Sequence, residues 1–339
     1  MEKQTPNQHQ KKHLEEIMEK LAKLRNLKKT TLITYKSVTT KLMLLLGVES
    51  KNLINILTNY PMVIKKINEQ QMKLSSKRQM FSMVLVLLDF QKGNTSMYNK
   101  WYGFYKKEHE KITEIINNEL LKNIKTPYQQ ESWIEWSKLQ KLVTSWRRKN
   151  RKKPTEKGML LAVMAALYLS SNYLPPRRNI YRTFKFYPKN KPDPNLSVDN
   201  YYWNGNFYFN DTKSGKQNFK LNKNSMKITR LLEEYHEMYN KTEWLLQDPT
   251  TKQQLSKTAY LNLVKEMTSP AFPKNHPGIG CRMMRTIFVT EIANKIEDSN
   301  LRKMIAYRMG HTVDIATQYY HKPYDTQEES KKKKIEAMK

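Results

Sequence analysis

Residues that can bind and attack a phosphate are concentrated in the C-terminal half of the chain. Arg282 and Arg285 lie three positions apart, so on a helix both share one face and reach a single anion. His311 follows a glycine, and Tyr320 stands nine positions after that histidine. An earlier pair, Arg177-Arg178, adds two more guanidinium groups. This set predicts a phosphate that arginines hold and a phenol attacks.

Cleavage of a phosphodiester without a metal requires a nucleophile, positive charge on the non-bridging oxygens and an acid for the departing oxygen. Tyrosine suits the first task, since its phosphate ester keeps the bond energy and allows later rejoining. Arginine suits the second task. Lys213, in a turn, is a candidate for the third, with Lys216 as the alternative. The prediction therefore includes no metal and no cofactor.

The chain carries a large positive charge, with Lys+Arg 61 against Asp+Glu 31 and a formal net charge of +30. Such a field attracts polyanions and releases counterions from nucleic acid. The segment Arg147–Lys153 is almost entirely basic and is interpreted as a contact to backbone phosphates, with a solvated helix face as the alternative. A source in which every protein is rich in lysine is the other explanation of the charge.

Cysteine usage and hydropathy argue against a disulfide-linked, a cysteine–zinc and a membrane-spanning protein. The single cysteine, Cys281, excludes an internal disulfide and a cysteine-based zinc site. The longest apolar run, 159–169, is shorter than the roughly 20 residues that cross a bilayer. Residues 1–13 are polar, unlike a signal peptide. We therefore expect an intracellular protein with no membrane partner.

Hydrophobic periodicity predicts a mainly α-helical chain in five parts. These are an N-terminal basic segment with a helix (1–24), a helical domain (25–125), a basic linker (126–155), a second domain (156–325) and a basic C-terminal tail (326–339).

The second domain is also expected to hold the β structure. Aromatic runs flank Asn204-Gly205, a sequence typical of a tight hairpin turn. The alternating stretch 180–187 precedes this hairpin and 217–221 follows it, and a small three-stranded antiparallel sheet is predicted in this region. Gly310 is expected to end the helix 300–309.

In order and spacing, these residues resemble the tyrosine recombinases, or phage-type integrases. The pattern of that family is an arginine, a hairpin lysine, His/Lys-x-x-Arg, Gly-His and a tyrosine. The similarity covers roughly residues 155–325 by motif, and residues 25–125 only by general character. The matching positions are Arg177 (or Arg178), Lys213 (or Lys216), Arg282 with Arg285, His311 and Tyr320.

The chain departs from the family pattern at two positions. Arg282 stands where a histidine is commonest, and a permanently protonated arginine is a poor base. Ile180 stands where an acidic residue usually follows the first arginine by three positions. The Pro-Pro-Arg-Arg form at 175–178 is more similar to recombinases of large DNA viruses and their satellite mobile elements than to bacterial ones.

The resemblance implies a site-specific recombinase or integrase with an α+β catalytic domain. The helical and catalytic domains would form a two-domain C-shaped clamp around double-stranded DNA, and four protomers would assemble on that DNA. For a viral element, the protein would act in the host cytoplasm or nucleus. Tyr320 would form a 3′-phosphotyrosyl link while Lys213 protonates the leaving 5′ oxygen. The phosphate would be held by Arg177, Arg285 and His311, with Arg282 adding charge.

Three alternatives stay open at this point. The same chemistry serves type IB topoisomerases, which relax supercoils as monomers. A catalytically inactive DNA-binding relative would show the same charge and fold. Tyr319, next to Tyr320, is the rival nucleophile.

Overall fold

The chain forms two compact units, Met1–Leu121 and Lys122–Lys339. The computed structural model describes residues 8–27, 29–89, 95–170, 180–188, 199–210, 217–220, 226–239, 242–325, 329, 331 and 335–336. Four predicted site positions lie outside the described residues, namely Arg177, Arg178, Lys213 and Lys216.

The first unit is helical throughout its described residues. Its α-helices are α1 (Gln8–Arg25), α2 (Lys29–Leu46), α3 (Leu53–Leu57), α4 (Tyr60–Glu69), α5 (Leu74–Asp89) and α6 (Thr95–Leu121), with a 3₁₀ turn at Ser50–Asn52. Leu14, Ile17 and Leu21 recur at helical spacing and bury one face of α1 in the core of this unit. The Tyr105 hydroxyl in that core donates to the carbonyl of Leu57 at 2.8 Å.

The second unit is built around the apolar helix α9 (Glu156–Leu169). Every residue from Met159 to Leu169 is buried, because α9 is packed on several sides by other helices. Residues 126–155, predicted as a linker, include α7 and α8, and Trp136 and Leu139 of α8 belong to the same core. The helices are α7 (Pro127–Glu131), α8 (Trp136–Lys152), α9 (Glu156–Leu169), α10 (Met226–Met238), α11 (Lys257–Thr268), α12 (Cys281–Glu291), α13 (Ser299–Met309) and α14 (Val313–Tyr320).

The sheet differs from the predicted three-stranded antiparallel one. It has four strands in the order β1 (Lys185–Tyr187), β2 (Tyr201–Trp203), β3 (Asn206–Phe209) and β4 (Gln217–Lys220). The pairs β2–β3 and β3–β4 are antiparallel, whereas β1 pairs with β2 in parallel. The prediction of an all-antiparallel sheet was wrong because β1 ends at Tyr187 and β2 begins only at Tyr201, and this separation in sequence permits the parallel pairing that a two-residue hairpin forbids.

The predicted hairpin turn is confirmed. Tyr202 pairs with Phe207, and Trp203 pairs with Asn206, which leaves a two-residue loop. Both loop residues have positive φ, 44° at Asn204 and 79° at Gly205. That combination is the type I′ geometry that Asn-Gly favours, because its twist matches the twist of the flanking strands.

Two polar anchors fix α12, the helix that carries Arg282 and Arg285. At its C-terminal end, the Glu291 carboxylate accepts from the backbone N–H of Trp136 at 2.6 Å and from the indole N–H of Trp133 at 3.0 Å. Before its N-terminal end, the Thr268 hydroxyl accepts from the N–H of Ile279 at 2.7 Å. Both ends of α12 are therefore tied to neighbouring elements of the same unit.

Within the part of the chain that the structure describes, no helix combines the length and the apolarity that a membrane crossing demands.

Candidate active site

Arg285 is the buried centre of the candidate site. It lies in the second turn of α12 and is only 5% exposed. One terminal nitrogen of its guanidinium donates to the carbonyl of Met309 at 2.7 Å, and the other donates to the hydroxyl of Tyr320 at 3.1 Å. These two hydrogen bonds, called the Arg285 fork below, join α12 to the last residue of α13 and the last residue of α14. They also fix the position of the phenol.

The Tyr320 ring makes an aromatic contact and a cation–π contact. The imidazole of His311 is stacked on it, with ring centroids 5.4 Å apart and an interplanar angle of 19°. The guanidinium carbon of Arg285 lies 5.1 Å from the centroid of the same ring, within cation–π range. Tyr320 is 6% exposed. The buried phenol ring therefore contacts both an imidazole and a guanidinium.

The corner between α13 and α14 brings His311 to this place. Gly310 ends α13 in the left-handed conformation, with φ of 78°, as the sequence predicts. The N–H of His311 returns to the carbonyl of Ala306 at 3.1 Å, which completes the helix cap. Thr312 then starts α14 by accepting from the N–H of Ile315 at 3.3 Å. The imidazole is fixed further by contact of its Nδ1 with the carbonyl of Thr312 at 3.0 Å.

Two other predicted residues lie at the surface. Arg282 occupies the first turn of α12 and is exposed, in contrast to the buried Arg285. Tyr319, the rival nucleophile, is 37% exposed, so of the two adjacent tyrosines only Tyr320 lies in the buried cluster. The fold therefore brings together Arg285, His311 and Tyr320. The exposed Arg282 lies on the same helix as Arg285, in its first turn. The remaining predicted positions, Arg177 and Lys213, lie outside the described residues.

Sequence reasoning missed two residues that contact or follow the backbone of Tyr320, namely Thr290 and Lys322. The Thr290 hydroxyl donates to the carbonyl of Tyr320 at 3.2 Å and accepts from the N–H of Lys322 at 2.9 Å. Lys322 is 5% exposed. The signal in the sequence was the closeness of Lys322 to Tyr320, because a residue two positions after the tyrosine lies near it in space.

The electrostatics of this segment disfavour extra positive charge. Burial, and then the neighbouring charge of Arg282, lower the pKa of Lys322. Burial, and then Lys322, lower the pKa of His321. These directions are those expected of cations removed from water and placed close to other cations.

The chemistry of this cluster is electrostatic and nucleophilic. A guanidinium 3.1 Å from a phenolic oxygen stabilises negative charge on that oxygen and on an oxyanion that approaches it. Among the described residues, no group of three or more His, Cys, Asp or Glu side chains is placed to hold a metal ion. The described part of the cluster is therefore suited to binding an anion beside a tyrosine.

Comparison with known proteins by sequence and by structure gave different results. No family model and no curated protein matches the chain. The crystal structure of XerA recombinase is similar at a TM-score of 0.39 and 9% sequence identity, and the alignment covers 97% of this chain and 98% of that chain.

Proposed function

We propose that this chain is a DNA strand transferase of the tyrosine recombinase type. The observation that carries the proposal is the position of the Tyr320 hydroxyl, 3.1 Å from the buried Arg285 guanidinium and in a ring stacked against His311. The three side chains come from α12, the α13–α14 corner and the end of α14, and they converge although they are distant in sequence. Burial favours Tyr320 over Tyr319 as the nucleophile.

In the proposed reaction, the bond that forms to phosphorus is matched by a bond to phosphorus that breaks. The Tyr320 oxygen attacks the phosphorus, the phenolic proton passes to solvent, and a phosphotyrosyl ester forms at the 3′ end of the cleaved strand. The bond from phosphorus to the 5′ oxygen breaks at the same time, and that oxygen takes a proton from Lys213. Arg177, Arg285 and His311 stabilise the charge on the non-bridging oxygens, and Arg282 adds positive charge. Attack by a 5′ hydroxyl reverses the sequence and restores the tyrosine.

A polyanionic partner is supported by the net charge of +30 and by the surface of α8. Arg148, Lys149 and Arg151 are exposed near the end of that helix and are available to phosphates. Double-stranded DNA fits this chemistry, and exchange of strands between two duplexes requires four protomers. The two-domain clamp and the homotetramer stay predictions of the same proposal.

The test is to trap the covalent intermediate. Nicked suicide duplexes, tiled across the DNA that flanks the coding sequence, lose the short fragment that bears the new 5′ hydroxyl after cleavage and cannot be resealed. Wild-type protein is expected to form a covalent protein–DNA adduct on one of them. Tyr320→Phe is expected to form none, while the neighbouring control Tyr319→Phe forms it at the wild-type level.

The outcomes separate the open alternatives. Adducts that persist in Tyr320→Phe and vanish in Tyr319→Phe would contradict the assignment of the nucleophile. DNA binding with no adduct on any duplex would identify an inactive DNA-binding relative. Relaxation of supercoiled plasmid by monomeric protein, with no joined product from two duplexes, would identify a topoisomerase instead.

A further inference from the structure

A cavity of about 480 Å³ lies in the second unit, where the end of α8 meets the start of α9. Its volume is within the usual range for sites that bind small molecules, roughly 300–1,000 Å³. Trp146 from α8 and Leu161 from α9 line it with apolar surface, and both also belong to the core of this unit. The indole N–H of Trp146 donates to the carbonyl of Met267 at 2.9 Å, which fixes the ring. The apolar wall of the cavity is therefore held in place by the core.

Lysines give the same cavity a positive charge. Lys149, Lys153 and Lys157 line it, and all three are exposed. The Lys157 ammonium pairs with the Glu266 carboxylate at 2.8 Å. Among the described residues, no carboxylate forms an ion pair with Lys149 or Lys153. The Lys149 ammonium also lies 5.1 Å from the centroid of the Trp146 ring. One molecule can therefore place an anionic group at these lysines and an apolar group against the indole.

The neutral polar side chains that line the cavity are engaged within the protein. Asn150 accepts from the N–H of Thr155 at 3.3 Å and donates to the sulfur of Met159 at 3.1 Å. The Thr155 hydroxyl accepts from the N–H of Gly158 at 3.0 Å. A nucleobase in this cavity would leave polar groups of its own without partners, which is unfavourable. A molecule with an apolar body and a single charged group avoids that loss.

We propose that this cavity binds a small organic anion, in which a carboxylate or a similar group is attached to an aromatic or aliphatic body. The body packs against Trp146 and Leu161, and the anionic group pairs with Lys149 and Lys153. A DNA phosphate could use the two lysines, but it has no apolar group for the wall beside them. Such binding goes beyond the proposed strand transfer and does not depend on it.

Photolabelling of the full chain tests the proposal with a probe of this chemistry. The probe is para-benzoylbenzoate, which has an aromatic body, one carboxylate and a ketone that bonds to nearby C–H groups under near-ultraviolet light. Its neutral amide, para-benzoylbenzamide, is the control of the same shape. Labelling is titrated to half-saturation for the parent, Lys149→Gln, Lys153→Gln, the double variant and Lys138→Gln. Lys138 is a matched control, an exposed lysine on α8 at 4.0 Å from the Glu135 carboxylate.

The acid should label a residue of the cavity wall, located by tandem mass spectrometry. Lys149→Gln and Lys153→Gln should each raise its half-saturating concentration about threefold, the effect of one exposed ion pair, and Lys138→Gln should not change it. The neutral amide should bind the parent about tenfold more weakly than the acid, because it lacks both ion pairs. In the double variant, acid and amide should label equally, since the charge then gives no advantage.

Labelling outside the cavity would overturn the proposal, and so would a preference for the acid that persists in the double variant. A competition experiment tests the apolar body. Naphthoate should protect the parent from labelling at concentrations at which thymidine monophosphate does not, and equal protection by the two would contradict the proposal. Failure of the proposed strand transfer appears elsewhere, as the absence of any covalent protein–DNA adduct, so the two failures are distinguishable.

Discussion

Replacement of Arg285 by lysine should destabilise the second unit and slow strand cleavage. The guanidinium uses two nitrogens to reach two acceptors in different helices, the Met309 carbonyl at 2.7 Å and the Tyr320 hydroxyl at 3.1 Å. A lysine has one nitrogen and a shorter reach, so at least one of these hydrogen bonds is lost in a buried place. The loss of one hydrogen bond to a charged group lowers the free energy of unfolding by about 2 kcal/mol.

That change is large enough to measure by thermal unfolding. A stability loss of 1 kcal/mol lowers the melting temperature of a unit of 150–250 residues by about 2–4 °C, so Arg285→Lys should lower it by about 4–8 °C. Tryptophan fluorescence reports mainly on the relevant unit, since five of the six tryptophans lie in Lys122–Lys339. Adduct formation should slow by about 10²–10³-fold, the usual effect of removing one donor to a developing oxyanion.

Arg282→Lys is the matched control for Arg285→Lys, because it makes the same chemical change at an exposed position three residues earlier on α12. Its unfolding free energy should stay within about 0.5 kcal/mol of the wild type. Equal melting temperatures for Arg285→Lys, Arg282→Lys and the wild type would refute the view that the Arg285 fork joins the three helices.

Two further predictions concern the framework of the site. Burial lowers the pKa of His236 to about 4, so protons bind the unfolded chain first, and unfolding free energy should fall by about 1.4 kcal/mol per pH unit from about pH 6.5 down to pH 4. Urea titrations at pH 7.5 and pH 5 should show this fall in unfolding free energy, and the fall should be smaller in His236→Phe. A fall of the same size in His236→Phe would refute the prediction. Gly278→Ala should cost more unfolding free energy than Gly205→Ala, by at least about 1 kcal/mol, since both glycines have φ of 79° but only at Gly278 would a Cβ meet backbone, the Lys265 carbonyl at 2.0 Å. Equal losses in denaturant titrations would exclude that clash.

Local signals in the sequence predicted local structure correctly. Asn204-Gly205 specifies a two-residue turn, because both residues accept positive φ, and the turn fixes an antiparallel pair. Gly310 specifies a helix end for the same reason, and this end sets the direction of the chain at His311.

Long-range packing could not be predicted from local signals in the sequence. The parallel pairing of β1 with β2 joins strands that no tight turn connects, so no local residue signal encodes it. The burial that separates Tyr320 from Tyr319 follows from the register of a short helix against α12. Lys322 was not predicted because a lysine is ordinarily solvated, whereas this one is only 5% exposed.

The central claim is that Tyr320 forms the covalent bond to DNA, and the most direct test is to locate the bond. The trapped adduct is digested with nuclease and trypsin, and the peptide that begins at Met309, which contains both Tyr319 and Tyr320, is sequenced by tandem mass spectrometry. The account predicts a nucleotide phosphate mass on Tyr320 alone. A nucleotide mass on Tyr319, or on a residue outside this peptide, would contradict it.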